Sequence, residues 1–315
     1  MLGRTASSLY WMSRYMERAE NMARLLEVGY RISLMPGAIE GHRDEWRSTL
    51  QSCACDHGYA QKHDEIATAK VIDFLIFDED NPSSIRSCIK TARNNGRAVR
   101  TALTRDVWES INATWNELAQ VKPSSMTADR LPVFLEWVKQ RVMSFRGALL
   151  GTMLRNDTYH FSQLGNFIER ADNTARILDV KYHTLLPSVD EVGGAVDYYQ
   201  WGSLLRSVGT FESYRKIYRD VITPFRVGEL LILRDDVPRS LHACMNDIYE
   251  ILQKLSDAER REPERLAGEI HAQLHYGKPE QVFEFGLHEY LMKFLVKIEA
   301  LNAEIDQHFL VPDYS

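Results

Sequence analysis

One helical pattern occurs twice in this chain and limits what the chain can fold into. The first copy runs from Met16 to Val28 (MERAENMARLLEV) and the second from Ile168 to Val180 (IERADNTARILDV). Both copies place apolar residues three or four positions apart, which predicts an amphipathic α-helix. The chain therefore needs a fold in which two long helices each bury one face.

The predicted core face has the same composition in both helices. At about 100° per residue, five side chains of each helix fall on one arc. They are Met12, Met16, Ala19, Ala23 and Leu26 in the first helix, and Leu164, Ile168, Ala171, Ala175 and Leu178 in the second. The alanines spaced by four leave room for close approach by another helix.

A narrow polar stripe lies on the opposite side of each predicted helix. Apolar residues such as Leu25 and Ile177 flank this stripe, so it is unlike an ordinary solvated face. We take the stripe and the adjoining arginines as the candidate polar centre, for binding or for structure. Its residues are Glu17, Arg18, Asn21, Arg24, Glu169, Arg170, Asn173 and Arg176.

Two interpretations of the polar centre stay open. Glu20 with Arg24, and Asp172 with Arg176, are spaced as i,i+4 ion pairs, which stabilise exposed helices by about 0.2–0.5 kcal/mol. Such pairs explain those arginines but not the recurrence of Glu-Arg with an Asn four residues after the Glu. For the two Glu-Arg dipeptides we favour buried structural ion pairs over a ligand-binding or catalytic site, because a buried charge must be paired. Both interpretations predict burial.

The second half of the chain restates the first at an offset of roughly 152 to 156 residues, the signature of an internal duplication. Four landmarks recur in the same order: Trp46–Ser52 with Trp201–Ser207, Tyr59 with Tyr214, Phe74–Ile85 with Leu230–Leu241, and Cys88 with Cys244. Strand alternation and hairpin signals are almost absent. We expect an all-α fold of duplicated helical-bundle repeats related by a pseudo-two-fold axis.

Helix-breaking residues divide the predicted fold into segments. The helices of the two copies should stop at Pro36-Gly37 and at Leu186-Pro187-Ser188. We expect a first repeat over residues 1–122, a linking loop and helix over 123–157, a second repeat over 158–255, and a helical extension over 256–315. The last helix, about Val282 to Phe309, should pack across both repeats.

The composition excludes several classes of protein. With 315 residues and 44% hydrophobic residues, the chain can fill a core without disulfides. A net charge of −6 gives no general basic excess for nucleic acid. Four cysteines form no disulfide framework, and no apolar run is long enough for a membrane span or a signal peptide. We expect a cytoplasmic protein without membrane or nucleic-acid partners, and a homodimer is left open.

No pattern for a metal or a cofactor stands out. Cys53, Cys55, His57 and His63 are close in sequence, but Cys-x-Cys lacks the gap usual for zinc ligands. His271 and His275 are four residues apart on a predicted helix, where a partly exposed helix face explains them. The acidic residues before Pro82 and Pro238 are interpreted as helix caps. We therefore predict neither a metal nor a cofactor.

The duplicated Glu-Arg helices and the helical content resemble the bacterial alpha-E family, an all-helical domain named for its Glu-Arg motif. The resemblance covers essentially the whole chain and rests on Glu17-Arg18 and Glu169-Arg170, each followed by Ala, Asn and Arg. It implies a genomic association with ATP-grasp carboxylate-amine ligases, a transglutaminase-like protein and a peptidase. Such a system makes or modifies peptides.

Three functions follow as hypotheses. The first is an accessory helical protein that binds an ATP-grasp-type ligase, a transglutaminase-like protein or their peptide, with Arg18 and Arg170 holding a peptide carboxylate. The second is an enzyme of amide chemistry in which Glu17 or Glu169, with a raised pKa, acts as general acid or base. The third is a purely structural scaffold with an apolar patch and no pocket.

Overall fold

The structure is a computed structural model that describes residues 3–34, 42–183, 194–257 and 261–310. Within these ranges it contains fifteen α-helices, short 3-10 and π-helical turns, and no β-strand. The predicted all-α class is therefore confirmed. The helix stops predicted at Pro36-Gly37 and Leu186-Pro187-Ser188 lie outside the described residues.

The two longest helices carry the two copies of the Glu-Arg pattern. In chain order the helices are α1 (Gly3–Ser33), α2 (His42–Ser52), α3 (Asp56–Ala60), α4 (Thr68–Ile76), α5 (Ile85–Ala98), α6 (Arg105–Leu118), α7 (Arg130–Thr152), α8 (Asp157–His183), α9 (Ala195–Val208), α10 (Phe211–Tyr218), α11 (Pro224–Gly228), α12 (Leu241–Leu255), α13 (Glu262–His275), α14 (Pro279–Phe285) and α15 (Leu287–Ile305). The 3-10 helices are Arg100–Ala102 and Pro123–Ser125, and the π-helical turns are Glu229–Leu233 and Asp306–Leu310.

Helices α1 and α8 pack directly against each other at the centre of the fold. All ten residues of the two predicted core faces are fully buried. The two helices approach closely at Gly165 of α8, where a Cβ atom would lie 2.1 Å from the carbonyl oxygen of Tyr10 in α1. Only glycine fits there, because it has no Cβ atom. Gly165 therefore allows the two helices to come this close.

Two hydrophobic clusters surround this helix pair. The smaller one joins the second half of α1 to α2–α5 and the start of α7, around Trp46 and Leu75. The larger one joins the first half of α1 and the end of α7 to α8–α15, around Phe145 and Tyr214. Because α1 contributes to both clusters, it ties the two halves of the chain together. The residue ranges of the predicted repeats stay a prediction.

Matched residues of the two halves make matched hydrogen bonds. The buried hydroxyls of Tyr59 and Tyr214 each donate to a backbone carbonyl of the following loop and accept from a backbone N–H two residues later. The partners are Glu65 and Ala67 for Tyr59, and Val221 and Thr223 for Tyr214. Equivalent hydrogen bonds at equivalent positions are what a duplication predicts. The pseudo-two-fold relation itself stays a prediction.

The caps that precede α5 and α12 differ from the predicted ones. The acidic residues before Pro82 and Pro238 do not cap these helices. Ser84 Oγ accepts from the N–H of Ser87 at 3.1 Å, and Ser240 Oγ accepts from the N–H of Ala243 at 2.9 Å. A hydroxyl at the N-cap reaches the third N–H of the helix, which an acid several residues earlier cannot do.

The predicted C-terminal helix is broken rather than continuous. Gly286 adopts φ +99° between α14 and α15, a backbone conformation that interrupts a right-handed helix. After this break, α15 packs against α8 and α13. Its Asn302 reaches α1, where Oδ1 accepts from the hydroxyl of Tyr10 at 2.6 Å. The final helix thus contacts both Glu-Arg helices.

Candidate functional site

The two Glu-Arg dipeptides meet between α1 and α8 and exchange partners. Arg170 Nε and Nη2 donate to the two carboxylate oxygens of Glu17 at 3.0 and 3.2 Å. In the reciprocal contact, Arg18 Nε and Nη2 donate to Glu169 at 2.6 and 2.9 Å. Both contacts have the two-bond fork geometry in which a guanidinium matches a carboxylate. Each motif is therefore completed by the other copy.

Further arginines converge on the α1 carboxylates from other parts of the chain. Arg146 of α7 donates to Glu17 at 2.9 Å and to Glu20 at 2.6 Å. Arg239, just before α12, donates to the same two carboxylates at 3.2 and 2.5 Å. Arg24 Nε donates to Glu20 at 2.9 Å within α1. These contacts surround Glu17 and Glu20 with cations.

Glu169 has a second arginine of its own. Arg14, one turn before Arg18 on α1, donates from Nε to Glu169 at 2.9 Å and from Nη1 to Asn302 at 2.6 Å. Burial raises the pKa of Glu169, but Arg18 and Arg14 outweigh it and lower the pKa to about 2. At neutral pH this carboxylate is therefore fully ionised.

Positive charge exceeds negative charge in this centre. Among the described residues, six arginines contact three carboxylates, which leaves an excess of three positive charges. The arginines are Arg14, Arg18, Arg24, Arg146, Arg170 and Arg239, and the carboxylates are Glu17, Glu20 and Glu169. An interior cluster with surplus cations favours anionic groups near it.

The predicted burial is confirmed for most of the polar centre. Glu17 is completely buried, and Glu169, Arg170, Asn21 and Asn173 are buried as well. Arg18 differs, because 24% of its side chain is exposed.

The two i,i+4 pairs also differ from each other. Arg24 and Glu20 are both buried, whereas Arg176 and Asp172 are partly exposed. Only the second pair matches the ordinary solvated ion pair that the i,i+4 spacing suggests.

A cavity of about 210 Å³ opens beside the Arg18–Glu169 contact. It contains five of the eight residues of the predicted polar centre. Its lining residues are Arg18, Asn21, Met22, Leu25, Ser52, Cys53, Ala54, Ser83, Glu169, Asp172, Asn173 and Arg176. Parts of the polar stripes of both helices therefore line one space, whereas Glu17, Arg24 and Arg170 do not line it.

Several hydrogen-bonding groups that line this cavity have no partner among the described residues. Asn21 is only 2% exposed, yet neither its amide nitrogen nor its amide oxygen has a partner within the described residues. Arg18 and Arg176 each use Nε and Nη2 on a carboxylate, and Nη1 of either arginine makes no hydrogen bond to any described residue. A buried amide without partners costs about 1–3 kcal/mol. The cavity can thus accept a polar guest.

One residue that lines the cavity has a very different counterpart in the second half of the sequence. In the sequence match of 74–85 with 230–241, Ser83 corresponds to Arg239. Ser83 lines the cavity, while Arg239 extends inward to Glu17 and Glu20. The matched positions therefore differ: a short serine borders the cavity, whereas a long arginine contacts the buried carboxylates.

Sequence reasoning missed four members of the charged centre. Arg14 and Glu20 lie on α1 within one turn of the motif, so a wider helical stripe would have included them. Arg146 and Arg239 lie 129 and 222 residues from Glu17 in the chain. No local signal marks these two, because their role depends on which helices pack together.

The cysteines near the cavity are free thiols. Cys53, Cys55, Cys88 and Cys244 are all unpaired by disulfides. Burial raises the pKa of Cys55 to about 11 and that of Cys88 to about 12. These thiols are therefore protonated at neutral pH and are poor nucleophiles.

The fold and the centre define an all-α protein whose two longest helices meet through buried arginines and glutamates. A family model described as a predicted alpha-helical domain with a conserved ER motif matches residues 1–310. This chain therefore belongs to the Alpha-E family, as the resemblance in its sequence indicated.

The chain is similar to uncharacterized mycobacterial proteins. One from Mycobacterium bovis and one from Mycobacterium tuberculosis strain CDC 1551 are each 25% identical over 323 aligned residues. A protein of M. tuberculosis strain H37Rv is 24% identical. Each alignment covers 96% of this chain and 36% of the relative, so the chain spans about a third of the relatives' length. No solved structure matches the chain.

Hydropathy adds one finding. Within the part of the chain that the structure describes, no helix combines the length and the apolar character needed to cross a lipid bilayer.

Proposed function

We propose that this chain is an accessory binding protein of a peptide-synthesis or peptide-modification system, and that the cavity between α1 and α8 holds a carboxylate group of the peptide. The observation that carries the proposal is the cavity itself, because the residues repeated in the sequence line it together. A binding role needs no nucleophile, and burial raises the pKa of Cys53, the cysteine that lines the cavity, well above its usual value.

The chemistry of the lining favours a carboxylate. Nη1 of Arg18 and Nη1 of Arg176 make no hydrogen bond to any described residue, so both are cationic donors available to a carboxylate. The unpartnered amide of Asn21 offers one donor and one acceptor, which suits a peptide N–H and C=O. This assignment replaces the pair Arg18 and Arg170 that the sequence suggested, because Arg170 does not line the cavity.

The size of the cavity limits the guest to a small group. An apolar cavity of about 150 Å³ accommodates benzene. A cavity of about 210 Å³ accordingly suits one or two small amino-acid residues at the end of a peptide. The remainder of a longer peptide would lie outside, where Arg176 is partly exposed.

The partners in the proposal come from the family resemblance. They are an ATP-grasp-type ligase, which joins carboxylates to amines, and a transglutaminase-like protein. A protein that presents a peptide carboxylate would serve such a ligase directly. A cytoplasmic location belongs to the same proposal and is supported by four free cysteines, since disulfides are rare in that compartment.

An acid–base enzyme receives less support from this geometry. A general acid or base works best with a pKa near the working pH. Burial raises the pKa of Glu17, but Arg170, Arg146 and Arg239 together lower it below the ordinary value. Glu169 behaves in the same way. Both glutamates suit the role of permanent counter-ions.

A purely structural scaffold is the third hypothesis. It predicted a protein without a pocket, and the described residues line one. Among the exposed large apolar side chains, Val133 lies in α7, whereas Leu154 and Tyr276 lie in the segments just after α7 and α13. The cavity is therefore the better starting point for experiments.

Isothermal titration calorimetry with acetyl-Ala-Ala and with acetyl-Ala-Ala-amide tests the carboxylate site. We expect the free carboxylate to bind at least about 10-fold more tightly than the amide, because a hydrogen bond to a charged group contributes about 1.5–3 kcal/mol. Arg176→Gln should reduce the affinity for the carboxylate by a similar factor. Equal binding of the two peptides, or no binding of either, would contradict the assignment.

Arg226→Gln is the matched control for Arg176→Gln. Arg226 pairs with Asp220, and its side chain is 33% exposed against 36% for Arg176. It does not line the cavity. The control should keep the affinity of the wild type, so a loss in both variants would indicate a general effect of removing surface charge.

Gel filtration with an ATP-grasp ligase from the same genome tests the accessory role. We expect the two proteins to elute together, and Arg176→Gln to weaken the complex only when the peptide is present. If Arg226→Gln also lost the complex with the ligase, the contact between the two proteins would lie elsewhere on the surface. Separate elution under all conditions would reject the accessory role.

A further inference from the structure

Three histidines from two helices come together outside the charged centre. His271 and His275 lie one turn apart on α13, and His242 lies at the start of α12, which packs against α13. One ring nitrogen of each histidine lies within 4.8 Å of the others. The sequence indicated only the pair on α13, because His242 is separated from it by 29 residues.

The ring of His242 has one defined tautomer. Its Nδ1 lies 2.8 Å from the backbone carbonyl oxygen of Leu233, and a carbonyl oxygen can only accept. Nδ1 therefore carries the proton, and Nε2 has a free lone pair. A backbone carbonyl that fixes a histidine in this way is the usual outer partner of a metal-binding histidine.

The free nitrogen of His242 lacks a partner. The residue is only 5% exposed, and Nε2 makes no hydrogen bond to any described residue. Leaving a buried acceptor unsatisfied costs free energy, so such groups in proteins are usually paired. The rings of His271 and His275 lie 5.8 and 5.4 Å from the ring of His242 between centroids.

Neighbouring aromatic rings contact the other two histidines. Tyr249 stacks on His271 at 5.3 Å between centroids, and Tyr276 meets His275 edge-on at 4.7 Å. His271 and His275 themselves are 5.6 Å apart. The three rings therefore form a nearly equilateral triangle with similar sides.

We infer that His242, His271 and His275 form a binding site for a zinc-class transition-metal ion, with a water molecule or an exchangeable anion as the fourth ligand. Three imidazoles with an open position are a known zinc arrangement, with Zn–N distances of about 2.0–2.1 Å. Tetrahedral angles at that distance place the nitrogens about 3.4 Å apart. Ring rotations of the partly exposed and exposed side chains of His271 and His275 close the remaining gap.

The ligand set also selects among metals. The site has only imidazole nitrogens among its assigned ligands, which suit zinc, copper, nickel and cobalt rather than magnesium or calcium.

Zinc titration of the purified, chelator-treated protein tests this inference. We expect about one zinc ion per chain. Removing a residue that only supports a metal ligand costs about 10–100-fold in affinity. His275 is a proposed ligand itself, so His275→Ala should bind zinc at least about 100-fold more weakly than the wild type. Because His275 is exposed, this variant keeps the core intact. His242→Ala should lose binding as well, and its circular dichroism reports whether it folds.

Two further measurements complete the experiment. His57→Ala is the control, since His57 is exposed and contacts Gln61 rather than the three histidines. It should bind zinc like the wild type. Cobalt added to the wild type should give the strong visible absorption of a four-coordinate site, which His275→Ala should lack. Absence of zinc binding in the wild type, or equal binding by wild type and His275→Ala, would overturn the inference.

Discussion

The strongest test of the charged centre is Glu17→Gln. Glu17 is completely buried and accepts from three arginines, Arg170, Arg146 and Arg239. Glutamine has nearly the same shape, so packing changes little while one negative charge disappears. The centre would then hold six arginines and two carboxylates, and its excess of positive charge would rise from three to four.

The expected loss follows from the burial of these partners. Removing one member of a buried ion pair costs about 3–5 kcal/mol, because the other charge is left without compensation. The entropy of unfolding is about 2.1 cal/mol/K per residue, or about 0.7 kcal/mol/K for 315 residues. The melting temperature should therefore fall by about 5–8 °C.

Differential scanning calorimetry and urea unfolding measure this change. Glu109→Gln is the matched control, because Glu109 pairs with Arg105 on the exposed face of α6. An exposed pair contributes at most about 1 kcal/mol, so the control should melt within about 2 °C of the wild type. Adding Arg239→Gln to Glu17→Gln should restore part of the loss by removing one uncompensated cation. A loss for Glu17→Gln no larger than that of Glu109→Gln would refute the idea of a tightly paired buried centre.

Three other predictions concern stability. Because the pKa of Glu169 is lowered to about 2 from 4.5, its ionised form contributes about 3 kcal/mol to the free energy of unfolding above about pH 4.5. Melting curves should show that this contribution is lost as the pH falls toward 2. Glu169→Gln should lose less stability over the same pH range. Gly165→Ala should destabilise by about 3 kcal/mol or more in urea unfolding, because its Cβ would collide with the carbonyl of Tyr10, whereas Gly147→Ala has open space and should stabilise by up to about 1 kcal/mol. Tyr59→Phe and Tyr214→Phe should each cost about 1–3 kcal/mol, since each leaves two backbone groups unpaired, and markedly unequal losses would contradict their equivalence.

Much of the fold could be predicted because helices have local signals. The core faces of α1 and α8 follow from a period of about 3.6 residues, which depends only on neighbouring residues. The start of α8 was also predictable, since Asn156 Oδ1 accepts from the N–H of Tyr159. The break at Gly286 was missed, because an apolar pattern continues through it and one glycine does not always end a helix.

The candidate site was predicted in part. The sequence placed Glu17 and Glu169 in a buried polar centre, because their stripes lie between apolar residues. It did not indicate that each glutamate pairs with the arginine of the other helix, nor that Arg24 lies in a sealed region while Arg176 borders a cavity. Equal sequence positions in the two copies have different surroundings.

The sequence by itself determined the all-α class, the two amphipathic helices and the residues of their polar stripes, since each depends on spacing along one helix. Only the tertiary structure decided the rest. It brought Arg146 and Arg239 to Glu17, left an open cavity beside Ser83, and placed His242 next to His271. The physical reason is that these contacts join residues far apart in the chain, so they exist only once the helices have packed.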